Sequence, residues 1–337
     1  MNIKKLAQKL GLSITTVSRG LGGYSDVSEN TRNRIIKFAN KYNYSPNPNA
    51  SNLASRKTNT LGFVIPLYGL NSNRLNQASF FEFISGMSKK INSEKIQFLM
   101  TFANTIAEEK EAYKRLIDVQ KVDKIILHNL KKNDSRIKLL QDNNINFVGW
   151  GRTQGKINYP WVDLDNEGGV DLIMHYLFEK NHRKIAFINV NEKYNFAFQR
   201  KQGYVKFLKQ KKIKINKNYY VTVDGEDPEL NSAEIKKLIE KNSKLTAIIC
   251  SSEYSAAGAI KALNELNLKI GKDISLITFD GSVVNSISSP SITAVTHDRK
   301  QLGQKAIELL TAKKRSKINN YLAKPKIIER GSVHKVT

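Results

Sequence analysis

From Leu61 to the C-terminus the chain alternates short apolar runs with longer amphipathic ones, and this alternation constrains its fold more than any other feature. LGFVIP, IQFLMTF, VDKIILH, INFVGW, KIAFINV, YYVTV, TAIICS and SLITFD have the β-branched and aromatic character of buried strands. Between and after them, apolar residues recur at helical spacing over 80–93, 107–120, 134–143, 167–180, 199–211, 231–241, 254–267 and 299–312. Strands and helices taken in turn build parallel, doubly wound sheets. The stretch 61–337 is longer than one such sheet needs, so two α/β lobes are expected.

The first sixty residues obey a different rule. Ile3, Leu6, Ala7 and Leu10 form one stripe of a helix that Gly11 terminates. Ser13 is placed to cap a second helix from Ile14 to about Leu21, with Val17 and Leu21 inward and glycines 20, 22 and 23 ending it. Ser28 caps a third, with Ile35, Phe38, Ala39 and Tyr42 inward and Arg32, Arg34, Lys37 and Lys41 outward. A helix, a short turn and a second, polar helix make a helix-turn-helix outline. The second helix offers Ile14, Thr15, Thr16, Ser18 and Arg19 outward. Hydroxyls hold phosphates, an arginine grips guanine and an apolar tip meets a thymine methyl, so this set suits a DNA major groove; a solvated helix face has the same composition.

Residues 43–60 are polar and contain proline, as a linker does, yet Asn47 before Pro48 is a helix-start signal and Ala50, Leu53 and Ala54 share one side. A helix of about seven residues needs a partner to be stable.

Charge supports a nucleic-acid partner for the N-terminal part. The chain carries a formal +25, and residues 1–60 hold ten Lys and Arg against two Asp and Glu, about twice the density of the remainder. Elsewhere lysine far outnumbers arginine, which reads as a diffuse bias. No apolar run approaches the ~20 residues of a membrane span and MNIKKLAQKLGLS lacks a signal-peptide core, so a cytoplasmic protein is expected. The single cysteine, Cys250 in IICSS, excludes an internal disulfide and reads as a buried strand end. Phosphate-loop, dinucleotide, zinc-protease and serine-elbow motifs are missing, and histidines 128, 175, 182, 297 and 334 show no metal-ligand spacing; neither an enzyme nor a metal or other cofactor is expected.

IKKLAQKLGLSITTVSRGLGG, VSENTRNRI and NYSPNPNASNLA together resemble the DNA-binding head and hinge of the LacI/GalR family of bacterial transcriptional regulators. The resemblance continues through VDLDNEGG, NHRKIAFIN, RKQGY, DISLITFDG and SPSITAV. It implies that Thr16, Val17, Ser18 and Arg19 match the family's T-V-S-R, with Ser18 and Arg19 at the DNA. Ile14 and Thr15 would set operator preference, Ile14 through apolar contacts alone. Leu53 would be the hinge leucine that wedges into the minor groove; a linker leucine packing on the next domain is the alternative. The α/β region would resemble a periplasmic sugar-binding protein with its ligand between the lobes. Arg200 and Asp280 would hydrogen-bond a polyol, or else join in an interlobe salt bridge. Asp165 is a further candidate or a helix cap, and Trp161 and Phe81 either stack on a sugar or belong to the core. Asn181, Glu253 and Gly281 depart from the family pattern; Asn181 suits a left-handed helix terminus, and Glu253 adds a methylene to the cleft wall.

The expected architecture is thus a helix-turn-helix headpiece (1–45), a hinge helix and linker (46–60), and a ligand-binding and dimerisation domain (61–337). Its N-lobe would take about 61–161 and 293–320, its C-lobe about 162–292 and 321–337. The expected function is a homodimeric, ligand-responsive repressor of carbohydrate-utilisation genes on a near-palindromic operator, with Ser13, Ile14, Thr15, Thr16, Ser18, Arg19, Ala50 and Leu53 at the DNA. Arg200, Asp280, Asp165, Glu253, Trp161 and Phe81 would meet a sugar-like effector. A purine- or nucleoside-responsive regulator and a sugar-binding transport component are the rivals.

Overall fold

The computed structural model describes residues 1–44, 58–68, 77–223, 228–281, 283–312 and 320–337. The chain divides into two compact units, Met1–Thr58 and Asn59–Thr337. Among the described residues no helix is long and apolar enough to cross a membrane, and no group of acidic, histidine or cysteine side chains could hold a metal ion.

In the N-terminal unit, helix α1 (Ile3–Leu10) starts on the Asn2 side chain and stops at Gly11, whose φ of 64° is the left-handed conformation that closes a helix. Helix α2 (Ile14–Leu21) starts where Ser13 Oγ accepts from Thr16 N at 3.0 Å, and α3 (Glu29–Lys41) starts on Ser28. Leu6, Ala7, Leu10, Val17, Val27, Ile35 and Ala39 close into one small core. One expectation fails here. Gly20 lies inside α2, buried, where a Cβ would come within 2.5 Å of Ile35 Cδ1, so it sets the close approach of α2 to α3 and does not end a helix. Arg32 and Arg34 fold back onto backbone carbonyls, Arg32 Nη2 donating to Tyr24 O at 2.8 Å and Arg34 Nη2 to Leu10 O at 3.1 Å. They tie the turns together, because a guanidinium can reach carbonyls left without helical partners.

The hinge-helix expectation, with Ala50 and Leu53, falls on residues 45–57, outside the described ones; Thr60 already begins a strand.

The second unit contains two six-stranded sheets with the orders β11-β5-β4-β3-β1-β2 and β12-β10-β9-β8-β6-β7. The first takes β1 (Thr60–Pro66), β2 (Gln97–Ala103), β3 (Lys124–His128), β4 (Asn146–Trp150), β5 (Trp161–Leu164) and β11 (Tyr321–Ala323). The second takes β6 (Ile185–Asn189), β7 (Tyr220–Thr222), β8 (Ala247–Cys250), β9 (Ser275–Phe279), β10 (Thr293–Thr296) and β12 (Lys326–Ile328). Every pairing is parallel except β10 with β12. Cys250 ends β8 fully buried, and burial pushes its thiol up. Asn181 has the left-handed φ of 66° that its position demands.

The chain passes between the lobes three times, and each crossing comes after a strand that was expected to lie beyond it. β5 stays in the first sheet, β10 joins the second, and β11 returns to the first. The crossings therefore fall near 165, 297 and 324. Boundaries at 161, 292 and 320 missed this because WVDL, TAVT, YLA and KII are only three or four residues long and carry little periodicity of their own.

Two helices complete the first lobe. α4 (Gln77–Ser93) and α12 (Arg299–Thr311) cross so closely that a Cβ on Gly86 would sit 1.9 Å from Lys300 O, and one on Gly303 1.9 Å from Phe83 O. This reciprocal contact lets α12 set its first residue, Arg299, at the carboxyl ends of the strands.

Candidate functional site

On the N-terminal unit the exposed face of α2 carries Ile14, Thr15, Ser18 and Arg19, with Thr16 half-buried, while Val17 and Gly20 turn inward. Ile14 stays 43% exposed, more than a core isoleucine would. Ser13 and Thr16 are linked to each other at 2.8 Å as well as through the cap, so their hydroxyls steady the helix start and still face outward. Arg19 is held in place: its Nε donates to Asp26 at 2.7 Å and its guanidinium lies 4.7 Å over the Tyr24 ring.

In the α/β unit a cleft of roughly 440 Å³ opens where the two lobes meet. It lies off the carboxyl ends of the strands, the place where open α/β sheets bind ligands. The first lobe supplies an aromatic wall from α4, β2 and β4, comprising Phe80, Phe81, Phe102 and Trp150. Trp150 is fixed by stacking on Phe83 at 3.8 Å, nearly coplanar. The second lobe supplies Asn166, Phe196, Arg200, Ser252, Tyr254 and Asp280. On one side the lobes touch through backbone, Lys132 N donating to Lys193 O and Asn195 N to Leu130 O, each at 3.0 Å.

Charge is concentrated in this cleft. Arg200, on α8 (Asn195–Gln210), is 3% exposed, donates from Nε to Asn166 Oδ1 at 2.9 Å and from Nη1 to Ser251 O, and is flanked by the rings of Phe279 and Phe196. Burial lowers its pKa to about 10, against the opposing pull of Asp280 and Asp163, so it stays charged at neutral pH. Asp280 follows β9 with a left-handed φ of 69°, a conformation aspartate tolerates better than most residues, and pairs with Arg299. Burial penalises its carboxylate, but Arg299, Arg200 and His297 outweigh that and hold its carboxyl below the usual range. Asp163 takes the Nε of Arg152 at 2.7 Å, and burial still leaves its carboxyl raised.

The description "Bacterial regulatory proteins, lacI family" matches residues 2–47, and "Periplasmic binding protein-like domain" matches residues 174–333. The HTH-type transcriptional regulator AglR of Rhizobium meliloti is 33% identical over 282 residues, 83% of this chain and 78% of that protein. The chain belongs to the lacI family of bacterial regulatory proteins. Its fold is also that of the lac repressor dimer bound to operator and the anti-inducer ONPF (TM-score 0.81, 20% identity, 99% of each chain covered). A CelR–cellobiose complex is similar at TM-score 0.72 and 21% identity, covering 98% of this chain and 99% of that one.

In this lacI-family regulator the cleft gathers only some of the expected residues. Arg200, Asp280 and Phe81 line it. Asp165 does not: its Oδ1 accepts from Gly168 N at 2.9 Å and caps α7 (Asn166–Glu179), while its neighbour Asn166 faces the cleft. Trp161 opens β5, lies under the Arg152 guanidinium at 4.8 Å and packs on the core of the first lobe, outside the lining of the cleft. Glu253 begins α10 (Glu253–Glu265) buried, between Ser252 and Tyr254, which do line the cleft. Arg152, Asp163, Arg299, Trp150 and Phe102 had not been picked out. Trp150 ends β4 and Phe102 is the last residue but one of β2, so both stand at strand carboxyl ends, where ligands of open α/β sheets sit.

Proposed function

We propose that this regulator binds a near-palindromic operator as a homodimer, from the cytoplasm, and that a sugar-like effector in the interlobe cleft sets its operator affinity, repressing carbohydrate-utilisation genes. The observation that carries this is the cleft itself, an aromatic wall on one lobe facing hydrogen-bonding and charged side chains on the other, as saccharide recognition requires. Two-fold symmetry fits the short α2, because one such helix reads too few base pairs alone. The fold relative solved as a dimer on operator and the one solved with cellobiose support the same reading. Ser13, Ile14, Thr15, Thr16, Ser18 and Arg19 face the DNA in this account, and the chain segment holding Ala50 and Leu53 crosses the minor groove. Ligand biases closure of the lobes, and closure changes operator affinity by linkage.

A purine or nucleoside effector is the second reading, favoured by Phe80, Phe81 and Trp150 around the cleft. A mobility shift on the gene's own upstream DNA at fixed salt, repeated with sugars and with purines, tests both. A shift altered by sugars alone upholds the first reading, one altered by purines alone replaces it with the second, and no shift at all refutes operator binding.

A further inference from the structure

Part of the +25 charge, diffuse by composition, is gathered at one end of the second lobe. β9, β8, β6 and β7 lie side by side and parallel, so the connections leading into them meet at the amino end of the sheet, away from the cleft. These connections, 266–274, 242–246, 180–184 and 211–219, hold ten Lys and Arg against the single acid Asp273. Nine of the ten are exposed. Lys180, half-buried and 3.8 Å from Glu329, is the only one of the ten paired with a carboxylate side chain among the described residues. Asp273 is spent locally, accepting from Lys269 N at 2.7 Å. Hydrogen bonds join the loops into one surface, Thr246 N donating to Lys184 O and Ser275 N to Thr246 O, each at 2.9 Å, and Asn242 Nδ2 to Asn218 O at 3.1 Å.

Neither composition nor helix ends account for this. A lysine-rich composition would load both ends of the lobe alike, yet 190–194, 251–252 and 280–281, which leave β6, β8 and β9 toward the cleft, hold one base and two acids. The matching connections into β2, β3 and β4 of the first lobe, 94–96, 120–123 and 143–145, hold two of each. Cations do favour helix C-termini. The last turns of α7, α8, α9 (Pro228–Lys241) and α10, however, carry Lys209 and Lys241 against Glu179, Glu240 and Glu265. The excess lies beyond the helices, in the loops.

We propose that the amino end of this sheet is a second, sequence-independent DNA-binding surface, gripping the phosphate backbone of a duplex through Lys184, Lys214, Lys217, Lys244, Lys269 and Lys272. Four adjacent strands make an edge about 14 Å long, and that length of duplex carries about eight phosphate charges, close to the number of exposed cations. A small anion needs donors that converge, whereas a row of cations suits a polyanion. Lysine point charges neutralise phosphates without reading bases. The one guanidinium, Arg183, is turned back on the Phe178 and His182 carbonyls. An acidic protein partner would need an apolar or aromatic anchor, and Ile215 is the only large hydrophobic residue exposed in these loops. The operator reading uses the N-terminal unit, so this surface would give one chain two separate duplex contacts.

The test is amine-acetylation footprinting of the full-length protein at fixed low salt, read by mass spectrometry, with a random-sequence duplex as probe. With the duplex present, Lys214, Lys217 and Lys244 should react at least roughly threefold more slowly, while the exposed Lys110, Lys138 and Lys156 of the first lobe react as before. Lys214→Gln, Lys217→Gln and Lys244→Gln combined should also free Lys184, Lys269 and Lys272 from protection, and the same exchange at Lys110, Lys138 and Lys156 should not. If the first triple variant fails to fold, the wild-type footprint decides alone. Equal protection of both sets, or protection confined to lysines of the N-terminal unit, overturns the proposal. Protection by poly-glutamate or by anionic phospholipid vesicles, with none by duplex, assigns the surface to another partner and overturns it too. The operator reading is tested apart from this, by the mobility shift on upstream DNA.

Discussion

Arg19 Nε lies 2.7 Å from an Asp26 carboxylate oxygen, across the turn that separates α2 from α3. The arginine that the proposed function sets at the DNA is thus aimed by an acid on its own headpiece. Both side chains are about half exposed, so the pair contributes less than about 1 kcal/mol to folding and its use is orientation. Arg19→Ala should abolish operator binding with the melting temperature unchanged; unfolding of the headpiece would make Arg19 structural instead. Asp26→Asn should leave stability alone, strengthen binding to random duplex, and lower the operator-to-random ratio several-fold in a mobility shift at fixed salt.

The crossing of α4 and α12 admits no side chain at Gly303. A Cβ there would meet a backbone carbonyl, Phe83 O, at 1.9 Å, and backbone cannot rotate aside. Gly303→Ala should therefore cost about 3 kcal/mol, the upper part of the overpacking range, read as a lower urea midpoint. Ligand affinity should fall with it, since the same helix presents Arg299 to the cleft. An unchanged midpoint would mean that the two helices do not pack this way.

Asp165 separates a cap from a ligand contact. Asp165→Ala removes the acceptor for Gly168 N and should lower stability by about 1 kcal/mol, with effector affinity unaltered in titration. A large loss of affinity at normal stability would restore Asp165 to the binding site.

Stability should also fall on mild acidification. An unfolded histidine takes its proton near pH 6.5. Burial lowers His297 to about 4, with Arg200 and Arg299 adding to the effect and Asp280 opposing it, and burial with Arg136 lowers His128 to about 3. Both imidazoles are therefore neutral in the fold, and their full contribution is present above pH 6.5 and lost as the pH drops toward 4. The slope is about 1.4 kcal/mol per pH unit for each histidine. Asp280, held below its usual range, adds a loss only at still lower pH, and Asp163, raised, works in the opposite direction. Urea unfolding at pH 7, 6 and 5 reads this out. His297→Gln should flatten the profile by one proton, and a wild-type profile already flat would show both rings open to solvent.

Much of this protein was readable in one dimension. Ser13, Ser28 and Gly11 begin or end helices because capping is decided within a few residues of the chain. The eight expected strands and the long helices were recognisable for the same reason: the strands are continuous apolar runs, β6, β8 and β9 being buried along their whole length, and the helices repeat every 3.6 residues. Trp161 and Phe81 show where this legibility stops. Both are aromatic, yet one starts its strand and the other, on α4, faces the cleft. Nothing in the local composition distinguishes them.

By itself, then, the sequence determined the headpiece, the two parallel sheets and the regulator family, all of which follow from local spacing and from motifs that lie within short stretches. Only the tertiary structure decided where the chain passes between lobes, that Arg299 takes Asp280 while Arg200 is left with neutral partners, and that Glu253 and Asp165 stand behind the cleft wall. Those outcomes depend on residues far apart in the chain, 19 positions for Arg299 and Asp280 and 34 for Arg200 and Asn166, and the energy of a charge is set by what surrounds it in space, which no stretch of chain records.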